Sequence, residues 1–180
     1  MSTPTPPWQV GPWDLRPDLD KVREQWIPVR EILRDPALYD LRMPSVSAWS
    51  CGEQAGHILL AARLMAVTIA DNLSDPARDR DGEQAPFTRS VLRAGSFARG
   101  AARAPQVLEP EGRRRDDDLE LFPTVVDAWE GIAAREQEMR ACAARGRHLV
   151  FGYLTSSEWV RMCAVHTAHH LAIVRDIREA

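Results

Sequence analysis

Two histidines near the end of the chain, His166 and His170, sit in the stretch Trp159–Val174 with a third, His169, beside them. Apolar or small residues at Trp159, Cys163, Ile173 and Ile177 keep a three-then-four rhythm, and His166 and His170 fill the steps between them. That rhythm marks the inward seam of a helix packed on other helices. Two imidazoles therefore stand where Leu or Ile would be expected. Four residues on a helix give about 40° of offset and about 6 Å of rise, so both rings can reach one ion. A histidine on an apolar face is more often a hydrogen-bonded core residue than a ligand. Two on one seam favour a metal, because burying two unpaired imidazoles is costly. The pair lacks the glutamate of the zinc-protease helix, since Thr167 stands there, and a third ligand has to come from another element.

The elements that must position these rings read as helices. Leu19, Val22, Trp26, Val29 and Leu33 predict a first helix from Asp18 to Arg34, with Pro28 kinking it or forcing an irregular turn. Pro36 and Pro44 punctuate the loop that follows. A second helix starts near Ser50, where Ser50 and Glu53 have the spacing of a capping box, and runs to Leu73. His57 lies on it, on a face shared with Leu60, Ala61 and Leu64. This is the candidate third ligand, although taken alone it reads as structural. Leu119, Phe122, Val126, Trp129, Ile132 and Met139 predict a third helix over Asp118–Arg145, with Gly146 as its stop. Thr155 and Glu158 form a second capping box ahead of the last helix, with Leu154 and Trp159 placed as a hydrophobic staple. No strand pattern of comparable quality is present, and the expected class is all-α.

Residues 74 to 117 are polar, rich in Pro and Arg, and weakly periodic, with a short helix expected between Phe87 and Phe97. A connection of that length permits a crossover, so that helices 2 and 3 run parallel and helix 2 opposes the last helix. His57 stands about 10 Å from the start of its helix and His170 about 12 Å from the end of its own. Antiparallel packing puts them at one level. The run Arg113–Asp118 reads as a solvated turn whose acidic half favours the next helix start. Residues 1–17, with several prolines, suit an extended arm in which Trp8 and Trp13 could anchor, and 18–180 suit a single domain.

Composition narrows the function. A net charge of -3 gives no footprint for nucleic acid. No run of about 18 apolar residues suggests a membrane span, and the N-terminus has neither a basic nor an apolar signal region. Cys51, Cys142 and Cys163 are odd in number and form no C-x-x-C pair, so reduced thiols in a cytoplasmic protein are expected.

At this point the motifs resemble a family. Trp49-Ser-Cys-Gly-Glu-Gln-Ala-Gly-His57 is similar to the second-helix motif of the DinB/YfiT-like four-helix-bundle proteins. Phe151-Gly-Tyr-Leu-Thr-Ser-Ser-Glu-Trp159, followed by His166-Thr-Ala-His-His170, resembles that family's last helix. Arg99-Gly-Ala-Ala-Arg-Ala-Pro105, with Pro110 beyond, is similar to a segment of an uncharacterised branch. The resemblance spans about residues 18–178 and implies an up-down-down-up four-helix bundle, frequent homodimers, and a metal held by His57, His166 and His170.

Three neutral imidazoles with an open fourth position describe a catalytic type of site. Zn²⁺ is the first expectation, with Ni²⁺, Fe²⁺ or Mn²⁺ as alternatives. Bound water could attack an electrophile, as in a hydrolase, or the open position could take a substrate thiol as thiolate. The resemblance favours the thiol, since some members are thiol transferases or isomerases using bacillithiol, mycothiol or a related low-molecular-weight thiol. The alternatives are a non-enzymatic metal-binding or stress-associated bundle and a plain helical interaction module. His169 is expected beside the pocket or against helix 3, behind His170 as a ligand. Glu53 is a capping residue or a partner to a ligand. His148 is expected in an exposed loop, Cys163 in the core, and Arg161 and Arg175 on solvated faces. Trp26, Trp49, Trp129 and Trp159 read as core.

Overall fold

The structure, a computed structural model, describes residues 14–100 and 104–180. Most of the expected N-terminal arm, with Trp8 and Trp13, lies outside them. The chain is mostly helical. Among the described residues, four long helices, α1 (Leu15–Arg34), α3 (Cys51–Ser74), α5 (Arg115–Ala134) and α7 (Ser156–Glu179), carry the core. Three short ones join them: α2 (Pro36–Asp40), α4 (Thr88–Ala94) and α6 (Glu136–Ala141). Helix α7 packs on both α1 and α3, and α5 packs on the other side of the same pair.

Local sequence explains the long helices. Asp14 caps α1 by accepting from the Arg16 N–H, which starts the helix three residues before the expected Asp18. Its seam Leu19, Val22, Trp26, Val29 and Leu33 is buried as predicted, and the helix continues across Pro28. Both capping boxes form. Ser50 Oγ accepts from Glu53 N–H at 3.1 Å while the Glu53 carboxylate accepts from Ser50 N–H at 2.7 Å. Thr155 and Glu158 repeat the exchange at the start of α7, with Leu154 and Trp159 buried beneath it. Helix α3 is long and apolar enough, by length and composition, to cross a membrane; here most of its apolar residues lie in the core. Leu64, on the expected His57 face, is exposed. Cross-helix bonds tie the layers: Gln25 Nε2 donates to Ala164 O at 2.9 Å and Trp129 Nε1 to Ala62 O at 3.1 Å.

Three expectations need correction. The loop after α1 contains α2, because Asp35 accepts from the N–H groups of Ala37 and Leu38 and Pro36 takes the first turn. The third long helix does not reach Arg145. It ends at Ala134, α6 follows, and the chain then forms an antiparallel hairpin, β1 (Arg145–His148) with β2 (Gly152–Thr155). Gly146 is therefore a strand residue opposite Leu154, not a helix stop. Thirdly, Arg113–Asp118 is solvated only in part: Arg114 and Asp116 are exposed and Asp116–Asp118 open α5 as expected, but Asp118 is fully buried, paired with Arg113 at 2.6 Å and accepting from the Tyr39 hydroxyl at 2.8 Å.

Gly146 has a steric reason. A methyl group there would collide with Thr68 Cγ2 and come within 2.9 Å of Trp159 Nε1, so the hairpin lies flat on α3 only without a side chain. Gly146→Ala is expected to lower stability by about 1–3 kcal/mol, as overpacking does. Urea denaturation would read it as a lower midpoint with an unchanged slope; an unshifted midpoint would contradict the packing.

Candidate metal centre

Helices α3 and α7 bring the cluster together. His57 stands two turns into α3, and His166 and His170 face it from one seam of α7. The capping boxes fix where each helix begins, and with it the level of each ring. Ring centroids lie 4.9 Å apart for His57 and His166 and 4.5 Å apart for both other pairs. One nitrogen from each ring can be chosen so that all three fall within 4.8 Å of one another, a group able to hold a metal ion.

The hydrogen bonds decide which nitrogens those are. A carbonyl can only accept, so His57 Nδ1 donates to Leu108 O at 2.8 Å and its Nε2 keeps a lone pair. His170 Nδ1 donates to Gln54 Oε1 at 2.6 Å, which aims its Nε2 at the cluster. His57 Nε2 and His166 Nε2 are 3.1 Å apart. Two nitrogens on one tetrahedral ion, at 2.0–2.1 Å each, would stand about 3.3 Å apart.

Burial lowers the pKa of all three rings, of His57 despite its Leu108 bond, and of His166 and His170 well below the usual histidine range, with their neighbours adding to it. They are neutral at pH 7, the form a metal requires. The three-imidazole donor set, the outward N–H groups of His57 and His170 and the 3.1 Å spacing of the His57 and His166 nitrogens all fit a divalent ion.

Gln54 and Trp49 were not read as site residues from sequence. Gln54 is 1% exposed, and its Nε2 donates to Ser47 Oγ at 3.0 Å, which also receives the Trp49 backbone N–H at 3.1 Å. A glutamine three residues before a candidate ligand, and so on the same side of the helix, is the available signal. Trp49 is not core. Its ring stands 5.0 Å from His57 and stacks on His170 at 6.3 Å, and its indole N–H donates to Glu111 at 3.1 Å. Phe97 covers the other side, edge-on to His166 and His169.

The remaining candidates fall outside the trio. His169 is half-buried, at right angles to His170 and 5.1 Å from it. Glu53 is spent on its capping box and on Arg42 at 2.7 Å. Cys163 is buried in the core, as expected, and burial pushes its thiol pKa up. Arg175 is exposed, also as expected. Arg161 is the opposite of a solvated residue: it is fully buried, pairing with Asp18 at 2.8 Å and donating to Leu92 O at 3.0 Å.

His148 is not in an exposed loop. It ends β1 with its ring 5.3 Å from Trp159, and its Nδ1 accepts from the N–H groups of Val150 at 3.1 Å and Phe151 at 3.3 Å. Burial holds its pKa down to about 4. The unfolded chain, near 6.5, takes up the proton first, so stability falls as pH drops from about 6.5 to about 4, by up to about 3 kcal/mol. His148→Gln is expected to flatten that window: the loss between pH 7 and pH 4.5 in urea titrations should shrink relative to wild type. Equal losses would show that His148 titrates normally.

A mostly helical fold that gathers three neutral imidazoles from two facing helices defines a helical domain with a histidine cluster able to hold a metal ion. The chain belongs to the DinB superfamily, whose match covers residues 19–174. Neither the curated proteins nor the solved structures compared with it give a match.

Proposed function

We propose that this chain is a metal-dependent enzyme of the DinB/YfiT type, a thiol S-transferase or a hydrolase acting on a small electrophile. The observation that carries the reading is the shared aim of the three rings, with His57 and His170 held in the Nδ1–H form by Leu108 O and Gln54. His57, His166 and His170 would hold the ion, Zn²⁺ first and Ni²⁺, Fe²⁺ or Mn²⁺ otherwise. A divalent ion held by three neutral imidazoles supplies an acidified water or a stabilised thiolate at its fourth position. Trp49 and Phe97 would exclude water around the cluster, and His169 would offer a polar group at its edge. The packing of α7 on α1 and α3, with α5 on the same pair, supports an up-down-down-up four-helix arrangement. The three free cysteines support a cytoplasmic protein, and we extend the proposal to a homodimer using a low-molecular-weight thiol of the bacillithiol or mycothiol kind.

One observation favours a second reading. His57 and His170 are only 4% and 8% exposed, a closed environment that suits a structural metal in a non-enzymatic, stress-associated bundle. Metal content of untagged protein, wild type and His166→Ala, tests the site itself: about one equivalent should be present and vanish in the variant. Loaded wild type should then accelerate thiol consumption by a small electrophile. A full metal complement with no acceleration over a panel of thiols would discard the enzyme and retain the structural metal.

A further inference from the structure

The surroundings of the three rings are neutral. The outward N–H groups of His57 and His170 meet a backbone carbonyl and a carboxamide, and no carboxylate hydrogen-bonds to the three rings among the described residues. Carboxylates stand close in sequence and space but are engaged elsewhere. Glu53 holds Ser50 N–H and Arg42, Glu111 holds the Trp49 indole, and Asp176 pairs with Arg99 at 2.5 Å. A ligand histidine commonly gives its second N–H to a carboxylate, which raises the basicity of the ring and offsets the charge of the ion. Here that place is taken by Gln54, whose amide accepts from His170 and donates to Ser47, a direction of bonding that fixes both the amide and the ring.

Resting on the metal reading above, we infer that Gln54 is a positioning residue with two effects. It holds the His170 ring with Nε2 towards the ion, and by being uncharged it leaves the ion its full double charge. Three neutral ligands, two of them with neutral partners and almost wholly buried, then favour a monoanion in the fourth position over a neutral donor, because burial weakens the screening of that attraction. The site thereby selects substrates that bind as small anions, such as thiolates, and discriminates against neutral donors of the same size.

The test uses full-length protein loaded with Co²⁺, whose visible absorption reports coordination, and azide as the probe anion. Wild type is expected to take one Co²⁺ and to bind azide with a clear spectral change. Gln54→Glu should load Co²⁺ at least as tightly while azide binding weakens tenfold or more. Gln54→Ala should lose tenfold to a hundredfold in Co²⁺ affinity with azide affinity on the loaded fraction nearly kept. Nitrogen-15 NMR of the metal-free protein gives an independent readout: His170 should be the Nδ1–H tautomer in wild type and a mixture in Gln54→Ala. Azide affinities within twofold for wild type and Gln54→Glu would overturn the charge argument, and an unchanged tautomer in Gln54→Ala would overturn the positioning. A wild type that takes up no Co²⁺ would instead overturn the metal reading, and the role of Gln54 with it.

Discussion

Replacing Arg161 with leucine is expected to cost about 3–5 kcal/mol, the largest loss of any single change considered for this chain, because it leaves a buried carboxylate without its cation. Arg161 and Asp18 are both fully buried. Nη1 of Arg161 reaches Asp18 on α1 while Nε reaches Leu92 O at the end of α4, so one guanidinium joins three helices five residues before His166. Burial pushes the Asp18 carboxyl up to about 6, against the pull of Arg161. Without Arg161 that value rises further above the unfolded carboxylate. A group with a raised folded pKa loses its stabilising contribution as pH rises through that pKa. The deficit of Arg161→Leu should therefore be small at pH 5 and largest near pH 8, as read by urea unfolding. Asp18→Leu combined with Arg161→Leu should recover much of it, since an apolar pair of similar volume removes both desolvation penalties. A pH-independent deficit would mean that lost packing, not the stranded carboxylate, sets the cost.

The same residue shows where sequence reading reached its limit. An arginine on a helix is ordinarily solvated, and what makes Arg161 a core residue is Asp18, 143 positions away. Nothing local reports that. Asp118 shares this limit in part: Arg113 is near in sequence, but its second partner Tyr39 lies on a short helix whose sequence reads as loop. By contrast the starts of α3 and α7 were legible to the residue, since a capping box is a contact between positions three apart. The histidine trio was legible because the helical period and antiparallel packing fix the levels of rings on long, well-ended helices. The hairpin was not: Arg145-Gly-Arg-His148 has no apolar alternation, and its pairing with Gly152–Thr155 depends on Gly146 lying flat on α3. Trp49 escaped because a tryptophan reads as core, whereas its ring lies against His57 and His170.

Zinc is expected to stabilise the wild-type protein and to leave His166→Ala unmoved. The Nε2 atoms of His57 and His166 face each other at 3.1 Å, and the His57 Nδ1–H is committed to Leu108. At most one proton can lie between those two nitrogens, and burial keeps the rings from taking up another at neutral pH. Removing His166 should therefore shift the melting of zinc-free protein less than zinc shifts that of the wild type. Metal reverses the account. A ligand bound to the native state alone adds about 2.7 kcal/mol at a hundredfold excess over its dissociation constant and about 4.1 at a thousandfold. For a chain of this length that corresponds to a rise in melting temperature of roughly 5–15 °C. Differential scanning fluorimetry with and without Zn²⁺ would read the contrast directly. His57→Ala and His170→Ala should respond to zinc as His166→Ala does, because each removes one of three ligands from a group to which no fourth His, Cys, Asp or Glu belongs among the described residues. A zinc-dependent rise that survives in all three variants would place the ion elsewhere on the protein. The absence of any rise in wild type, with the apo variants strongly destabilised, would mean that the three rings serve the core as a hydrogen-bonded cluster.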